Sequence, residues 1–229
     1  MIPLIYDIAR DFSEGYTVLY SEKDGAKLIN KELEEIEVDN RRFFQKYFDL
    51  TNGFIVGEDR ETFEIMVLDK GFKELFRMPG EYSYPIVSKS GVFIFEDYSS
   101  DKPKLIFTDS HGNIKFELNN AEWHFLNPDD IEDYFIIEKL GFFKGGCGVV
   151  DSEGEEVVPF NYSSIEEEGG FFICTKKGIF NNGIDIYYGS KKLTNDRIKA
   201  DFIRLEGEGV LRISYGDDDY YLNKHGQKF

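Results

Sequence analysis

The sequence predicts an all-β repeat protein, read as a six-bladed β-propeller closed by its N-terminal strand, with an open β-hairpin solenoid as the alternative. Three observations carry this reading. A short apolar strand opening after Gly or an acidic residue recurs at Tyr16, Phe54, Val92, Tyr134, Phe171 and Val210, in steps of 38, 38, 42, 37 and 39. A strand ending in a polar corner recurs at Asn30, Asp69, Asp109, Asp151, Gly189 and Asn223, in steps of 39, 40, 42, 38 and 34. Finally, the start of the chain, Ile2-Pro3-Leu4-Ile5-Tyr6, repeats the pattern of Val158-Pro159-Phe160-Asn161-Tyr162, and the chain stops at Phe229 where such an element is next needed. A period of about 40 suits four strands per blade.

Each repeat is justified strand by strand. The strands are rich in Phe, Tyr, Ile and Val, whose branched or aromatic side chains fit a pleated, half-buried surface. Between the two landmarks stand turn residues, Asp24-Gly25, Asn182-Gly183 and Gly216-Asp217-Asp218-Asp219. Asn-Gly and Asp-Gly turns match the twist of flanking strands, because both central residues tolerate positive φ. At the second landmark, Asp and Asn bond their own backbone two residues on, and Gly accepts positive φ. Each repeat thus reads as strand, hairpin, strand, hairpin, strand, with room for a fourth. Helix signals are scarce; only Lys31 to Tyr47 has room for a helical turn or two.

The ends bear on closure. From Val210 to the C-terminus is 19 residues and from there on to Tyr16 another 16, so the step of 35 is close to one period. Residues 1–12 are therefore expected to complete the last repeat, leaving no sheet edge bare, and residues 1–229 form a single β-repeat domain. In the solenoid alternative, partial repeats cap the ends.

Composition narrows the function. The 229 residues include 27 basic and 44 acidic side chains, a net charge of −17, and 37 aromatics with a single Trp. With 41% hydrophobic residues the chain can build a core, and it does not read as an acidic disordered tail. No stretch approaches the roughly 20 apolar residues of a membrane span. The first residues lack a basic start and a long apolar run, so a cytoplasmic, monomeric protein is expected. The charge repels phosphate backbones, so nucleic acid is disfavoured as a partner. Cys147 and Cys174 read as small buried residues in reducing surroundings.

At Gly146-Cys147-Gly148-Val149-Val150-Asp151-Ser152-Glu153-Gly154-Glu155-Glu156-Val157-Val158-Pro159-Phe160-Asn161-Tyr162, followed by Ile165 and Phe172 to Lys177, the chain resembles the bacterial WG-repeat proteins. The resemblance is good over residues 142–180 and partial over 1–20, and Cys147-Gly148 stands where the family has Trp-Gly; Trp123 lies elsewhere. The resemblance implies a β-rich repeat scaffold and carries over no catalytic residue.

No catalytic, cofactor-binding or metal-binding residues are assigned. Lys144-Gly145-Gly146-Cys147-Gly148 sits at a strand start without the Lys-Ser/Thr of a phosphate loop. His111 and His225 precede equivalent corner glycines and read as exposed turn residues, and His124 stands beside Trp123. A nucleophilic Cys147–His pair stays open, since such pairs meet only in the fold. The acidic clusters Glu166-Glu167-Glu168, Asp129-Asp130 with Asp133, and Asp217-Asp218-Asp219 are all expected in turns. None fits a twelve-residue Ca²⁺ loop. They read as solvated loops able to steer a basic partner. The first functional expectation is a non-catalytic protein-interaction scaffold, not an enzyme, with an acidic surface suited to a basic protein partner and aromatic side chains as anchors. The alternative is an enzyme or small-ligand receptor with its site at the propeller axis.

Overall fold

A computed structural model describes residues 6–9, 15–21, 23, 25–36, 48–59, 61–71, 73–123, 134–141, 145–176 and 183–229. The β-forming runs pair with their nearest neighbours along the chain, because short corners bring consecutive strands together before distant ones. Six antiparallel sheets result, each holding its strands in chain order. The first is β1 (Ile8–Ala9), β2 (Tyr16–Ser21), β3 (Gly25–Asn30) and β4 (Glu35–Ile36). The second is β5 (Phe48–Thr51), β6 (Phe54–Glu58), β7 (Ile65–Asp69) and β8 (Glu74–Met78). The third is β9 (Ile86–Val87), β10 (Phe93–Asp97), β11 (Lys104–Thr108) and β12 (Ile114–Asn119). The fourth is β13 (Ala121–Trp123), β14 (Tyr134–Lys139), β15 (Gly146–Asp151) and β16 (Glu156–Tyr162). The fifth is β17 (Ser164–Glu168), β18 (Phe171–Lys176), β19 (Gly183–Tyr188) and β20 (Lys191–Lys192), and the sixth is β21 (Phe202–Gly207), β22 (Val210–Tyr215) and β23 (Asp218–Asn223). The chain divides into two units, Met1–Leu118 and Asn119–Phe229.

The fold is all-β, a succession of antiparallel meanders. Five of the sheets among the described residues are separate four-stranded meanders, and the sixth has three strands. The first landmark of the sequence is the second strand of each sheet, so each blade begins one strand earlier than the repeat count does. The second landmark is the corner between the third and fourth strands. There the side chain closes the turn: Asp69 Oδ1 accepts the amides of Gly71 (2.8 Å) and Lys73 (3.0 Å), and Asp109 Oδ1 those of His111 (2.8 Å) and Asn113 (3.0 Å). Asp151 and Asn223 repeat the pattern at 2.9–3.0 Å, and Asn30 accepts the Glu34 amide at 2.8 Å.

Of the N-terminal segment, Ile8 and Ala9 pair with Tyr20 and Leu19 and so open the first sheet. The fourth place of the sixth sheet is filled by the chain's own C-terminus, where Phe229 and Tyr221 exchange backbone hydrogen bonds at 3.0 and 3.1 Å and Lys228 bridges Leu222. The physical reason is the Asn223 corner, which turns the last residues straight back onto β23. Residues 1–5 and 10–14 lie outside the described residues. So do residues 37–47 of the helical candidate, whose described part is a turn followed by β4 rather than a helix.

The core of each unit lies between sheets. In the first unit, Val56, Ile65, Val67 and Phe76 of the second sheet meet Val87, Phe93, Phe95 and Ile106 of the third. Phe93 meets Phe54 and Phe76 edge to face, with centroids 4.9 and 5.2 Å apart. In the second unit, Val149, Val158 and Tyr162 meet Phe172, Cys174 and Tyr187, and Phe171 and Ile186 meet Leu211, Ile213 and Leu222. At the resembling motif, a Cβ on Gly148 would stand 2.7 Å from the Phe160 ring. Only glycine lets β15 pass under that ring, and Cys147 fills the neighbouring core position.

Candidate functional site

In an antiparallel meander the hairpin joining the second and third strands and the connection to the next sheet share one end. Several large apolar side chains escape burial at that end. Among the described residues at this hairpin in the second, third, fourth and sixth sheets, Phe63, Tyr98, Leu140 and Tyr215 are exposed by 64%, 60%, 40% and 46% respectively; residues 60 and 142–144 of these hairpins lie outside the described residues. The corresponding hairpins of the first and fifth sheets fall largely or wholly outside the described residues.

The first unit builds two such hairpins with care. The loop from Asp59 to Glu64 is held by backbone bonds from Asp59 N to Glu64 O and from Phe63 N to Asp59 O, both 2.8 Å. Asp59 is only 5% exposed; its Oδ1 accepts the amides of Glu61 (2.9 Å) and Thr62 (3.2 Å), and its Oδ2 accepts Arg77 Nη1 at 2.7 Å. Arg77 also reaches Glu64 (3.1 Å) and Glu74 (2.9 Å). Burial pushes the Asp59 carboxyl up, but the Glu61 amide, the guanidinium and the Thr62 amide together pull it below the usual carboxylate range. At the end of this loop Phe63 adopts φ 61°, the left-handed region that a bulky residue rarely occupies. Its carbonyl packs against Gly80, where a Cβ would lie 2.0 Å away.

The third sheet repeats the device. Asp97 is buried and accepts the Ser99 amide at 2.8 Å, with Lys104 3.6 Å from its other oxygen. The Ser99 hydroxyl is the first cause holding this carboxyl below its ordinary range, against the upward push of burial. Tyr98 projects beside it and donates to Glu96. The connection between the sheets ties both hairpins together: Tyr84 donates to Glu58 at 3.0 Å, Ser83 N donates to Glu96 O at 2.8 Å, and Ser83 Oγ accepts Glu96 N at 2.8 Å.

In the second unit the same end of the sixth sheet carries an open cleft of about 400 Å³, lined by Ile198, Lys199, Tyr215, Asp218, Asp219, Tyr220 and Lys228. Lys228 Nζ lies 3.7 Å from the centre of the Tyr220 ring.

The residues singled out by sequence fall as follows. Glu166, Glu167 and Glu168 stand in β17, and Asp218 and Asp219 in β23, so these clusters are not turns as expected; Asp217 alone is. Glu168 is engaged, accepting the Leu205 amide of β21 at 2.7 Å, and Glu167 accepts the Gly170 amide at 2.6 Å. Asp219 pairs with Arg212 at 2.5 Å. Glu167, Glu168 and Asp219 are thus held against backbone or a cation rather than in open loops. Asp129, Asp130, Asp133, His124 and Lys144 lie outside the described residues. His111 and His225 sit in the corners, as expected. Cys147 and Cys174 are buried thiols without a disulfide. Burial pushes both up, with Glu138 and Asp185 respectively adding to it.

Sequence reasoning missed a buried polar network between the fourth and fifth sheets. Tyr162 donates to Asp185 Oδ2 at 2.8 Å and shares a 2.9 Å bond with Tyr187, while Lys192 Nζ stands 3.0 Å from Asp185 Oδ1 as an ion pair. Burial, then Tyr187 and Asp185, push the Tyr162 hydroxyl up, so it stays neutral. Its partners lie 23 and 25 residues away, and no local spacing announces them.

Among solved structures, the chain is similar to BamB from Moraxella catarrhalis, at 8% identity and a TM-score of 0.40, covering 96% of this chain and 73% of that one. It is similar to the β-propeller domain of the Trilobed protease from Pyrococcus furiosus, at 11% identity and a TM-score of 0.44, covering 98% and 84%. It is also similar to the Dos1 propeller, at 13% identity and a TM-score of 0.37, covering 92% and 66%. None of the curated proteins matches the chain. The family model described as "WG containing repeat" matches residues 148–178, which run from Gly148 of β15 through β18. Residues 148–178, in the fourth and fifth sheets, are thus similar to a WG-containing repeat.

Proposed function

We propose that this protein is a non-catalytic interaction scaffold whose acidic surface receives a basic protein partner. The observation that carries the reading is the recurrence of an exposed large apolar side chain at the second-to-third hairpin, in Phe63, Tyr98, Leu140 and Tyr215, on a chain of net charge −17. Aromatic side chains supply large contact area at low entropic cost, and complementary charge raises association rates and selects partners. The strands beneath are held by buried aromatic cores and side-chain-closed corners, so the hairpins project from a rigid base.

The test is capture from native lysate on the immobilised full chain, followed by a salt step. A basic protein retained at low salt and released at high salt is the expected result, since exposed charges separated by more than about 8 Å are screened at physiological ionic strength. Recovery of no basic protein, or of proteins whose retention is indifferent to salt, would overturn the reading.

A further inference from the structure

The hairpins of the second and third sheets form one surface, and its chemistry specifies what it takes. Both stand at the same end of two sheets that share a core. The connection from Pro79 to Pro85 lies between them and bonds to each, through Tyr84 to Glu58 and Ser83 to Glu96. Segments 58–64, 79–84 and 96–104 contain eight carboxylates against three cations, a net of −5. Arg77, which reaches the first hairpin from β8, comes with its own partner Glu74. Phe63 and Tyr98 are the two most exposed aromatics among the described residues of this unit, and Tyr82 and Tyr84 are half-buried between them.

Neither feature alone defines a docking surface. An acidic patch without apolar anchors attracts any cation, and isolated exposed aromatics are common. Here the aromatics are presented by hairpins anchored through buried aspartates, one of them with its own arginine, and a carboxylate-rich rim surrounds them. Resting on the scaffold reading above, we propose that this rim docks an extended Lys/Arg-rich segment of a protein partner, with one or more apolar side chains of that segment seated against Phe63 and Tyr98. The carboxylates favour the basic residues, while the aromatics distinguish a basic segment with apolar anchors from a purely cationic one. The Asp59–Arg77 pair acts as a positioning device, holding the turn that turns Phe63 outward.

The experiment is a fluorescence anisotropy titration of a labelled synthetic peptide, in which pairs of Lys flank single Leu and Phe residues, with the full-length chain. Saturable binding is expected, weakened about tenfold or more by Phe63→Ala and by Tyr98→Ala. Ile114→Ala, at an exposed position on the opposite end of the third sheet, serves as the control and leaves affinity unchanged. A peptide with Ser in place of Leu and Phe is expected to bind weakly and equally to the wild type and to Phe63→Ala. If Phe63→Ala disturbs the turn, Phe63→Gly, which suits positive φ, gives the same readout on a folded chain. Undiminished binding in both aromatic variants overturns the rim as the docking surface and leaves the scaffold reading standing. Absence of binding by the wild type also overturns the rim proposal, and lysate capture then decides the scaffold reading separately.

Discussion

Replacing Tyr162 by Phe removes one hydroxyl and keeps the ring, so the edge-to-face contact with Tyr187 (6.2 Å, 82°) survives. What is lost is the 2.8 Å bond to Asp185 and the 2.9 Å bond to Tyr187. Asp185 is 4% exposed and Tyr187 7%, so water cannot substitute for the missing donor without opening the interface between sheets. A hydrogen bond to a charged group contributes about 1.5–3 kcal/mol and one between neutral groups about 1 kcal/mol. Because Lys192 stays paired with Asp185, the expected loss is about 2–3 kcal/mol in urea unfolding. For a chain of this length that corresponds to a fall in Tm of roughly 4–12 °C. The control is Tyr215→Phe at a half-exposed position, where the change is expected to stay within about 0.5 kcal/mol. If Tyr162→Phe costs no more than the control, at unchanged denaturant sensitivity, the buried network is not what secures the fourth sheet to the fifth.

Gly112 has φ 79°, and a Cβ there would stand 2.6 Å from the Phe76 ring; Gly112→Ala is therefore expected to destabilise by about 2 kcal/mol or more, measured by thermal melting. Glu168→Ala removes the acceptor of the Leu205 amide on the edge of β21, and faster hydrogen exchange at Leu205 is the readout, an unchanged rate counting against an edge-protecting role. Arg77→Met leaves the buried Asp59 with only its two amide donors and is expected to cost about 2–3 kcal/mol, below the 3–5 kcal/mol of fully buried pairs because Arg77 is partly exposed. The carboxyls of Asp59, Asp97 and Asp109 lie below their ordinary 3.8 in the folded protein. Their contribution is thus present above about pH 4 and disappears as pH falls through the lowered values. Tm measured from pH 7 to pH 2 should show that acid limb, with the Asp59 part reduced in Arg77→Met, where the Glu61 and Thr62 amides alone hold the carboxyl down; identical limbs in the two proteins would contradict the assignment.

The parts of this molecule that obey local rules were legible in the sequence. The strand at Tyr16, Phe54, Tyr134, Phe171 and Val210 begins where its landmark places it, and the corners at Asp69, Asp109, Asp151 and Asn223 close with side-chain bonds of the kind Asx residues make. Gly148 follows from backbone passage beneath Phe160. What escaped the sequence depends on contacts between sheets. Glu166 to Glu168 read as a charged turn because three adjacent carboxylates seldom occupy a strand. They do so here because Gly169-Gly170 already supplies the turn and Leu205 needs an acceptor. The partnership of Tyr162 with Asp185 and the left-handed Phe63 likewise have no local signature. The C-terminal return onto β23 follows from the Asn223 corner, another Asx turn.

The side-chain-closed corner has a kinetic consequence. Each one fixes a hairpin over four or five residues with its own Asp or Asn, and the entropy of closing so short a loop is small. Every strand pair named here joins consecutive strands, so sequence separations between paired residues stay low for an all-β chain, and folding speed follows such separations. A chain emerging from the ribosome can therefore complete each meander as soon as its own forty or so residues are free. Synthesis and folding then advance at the same step, one blade after another.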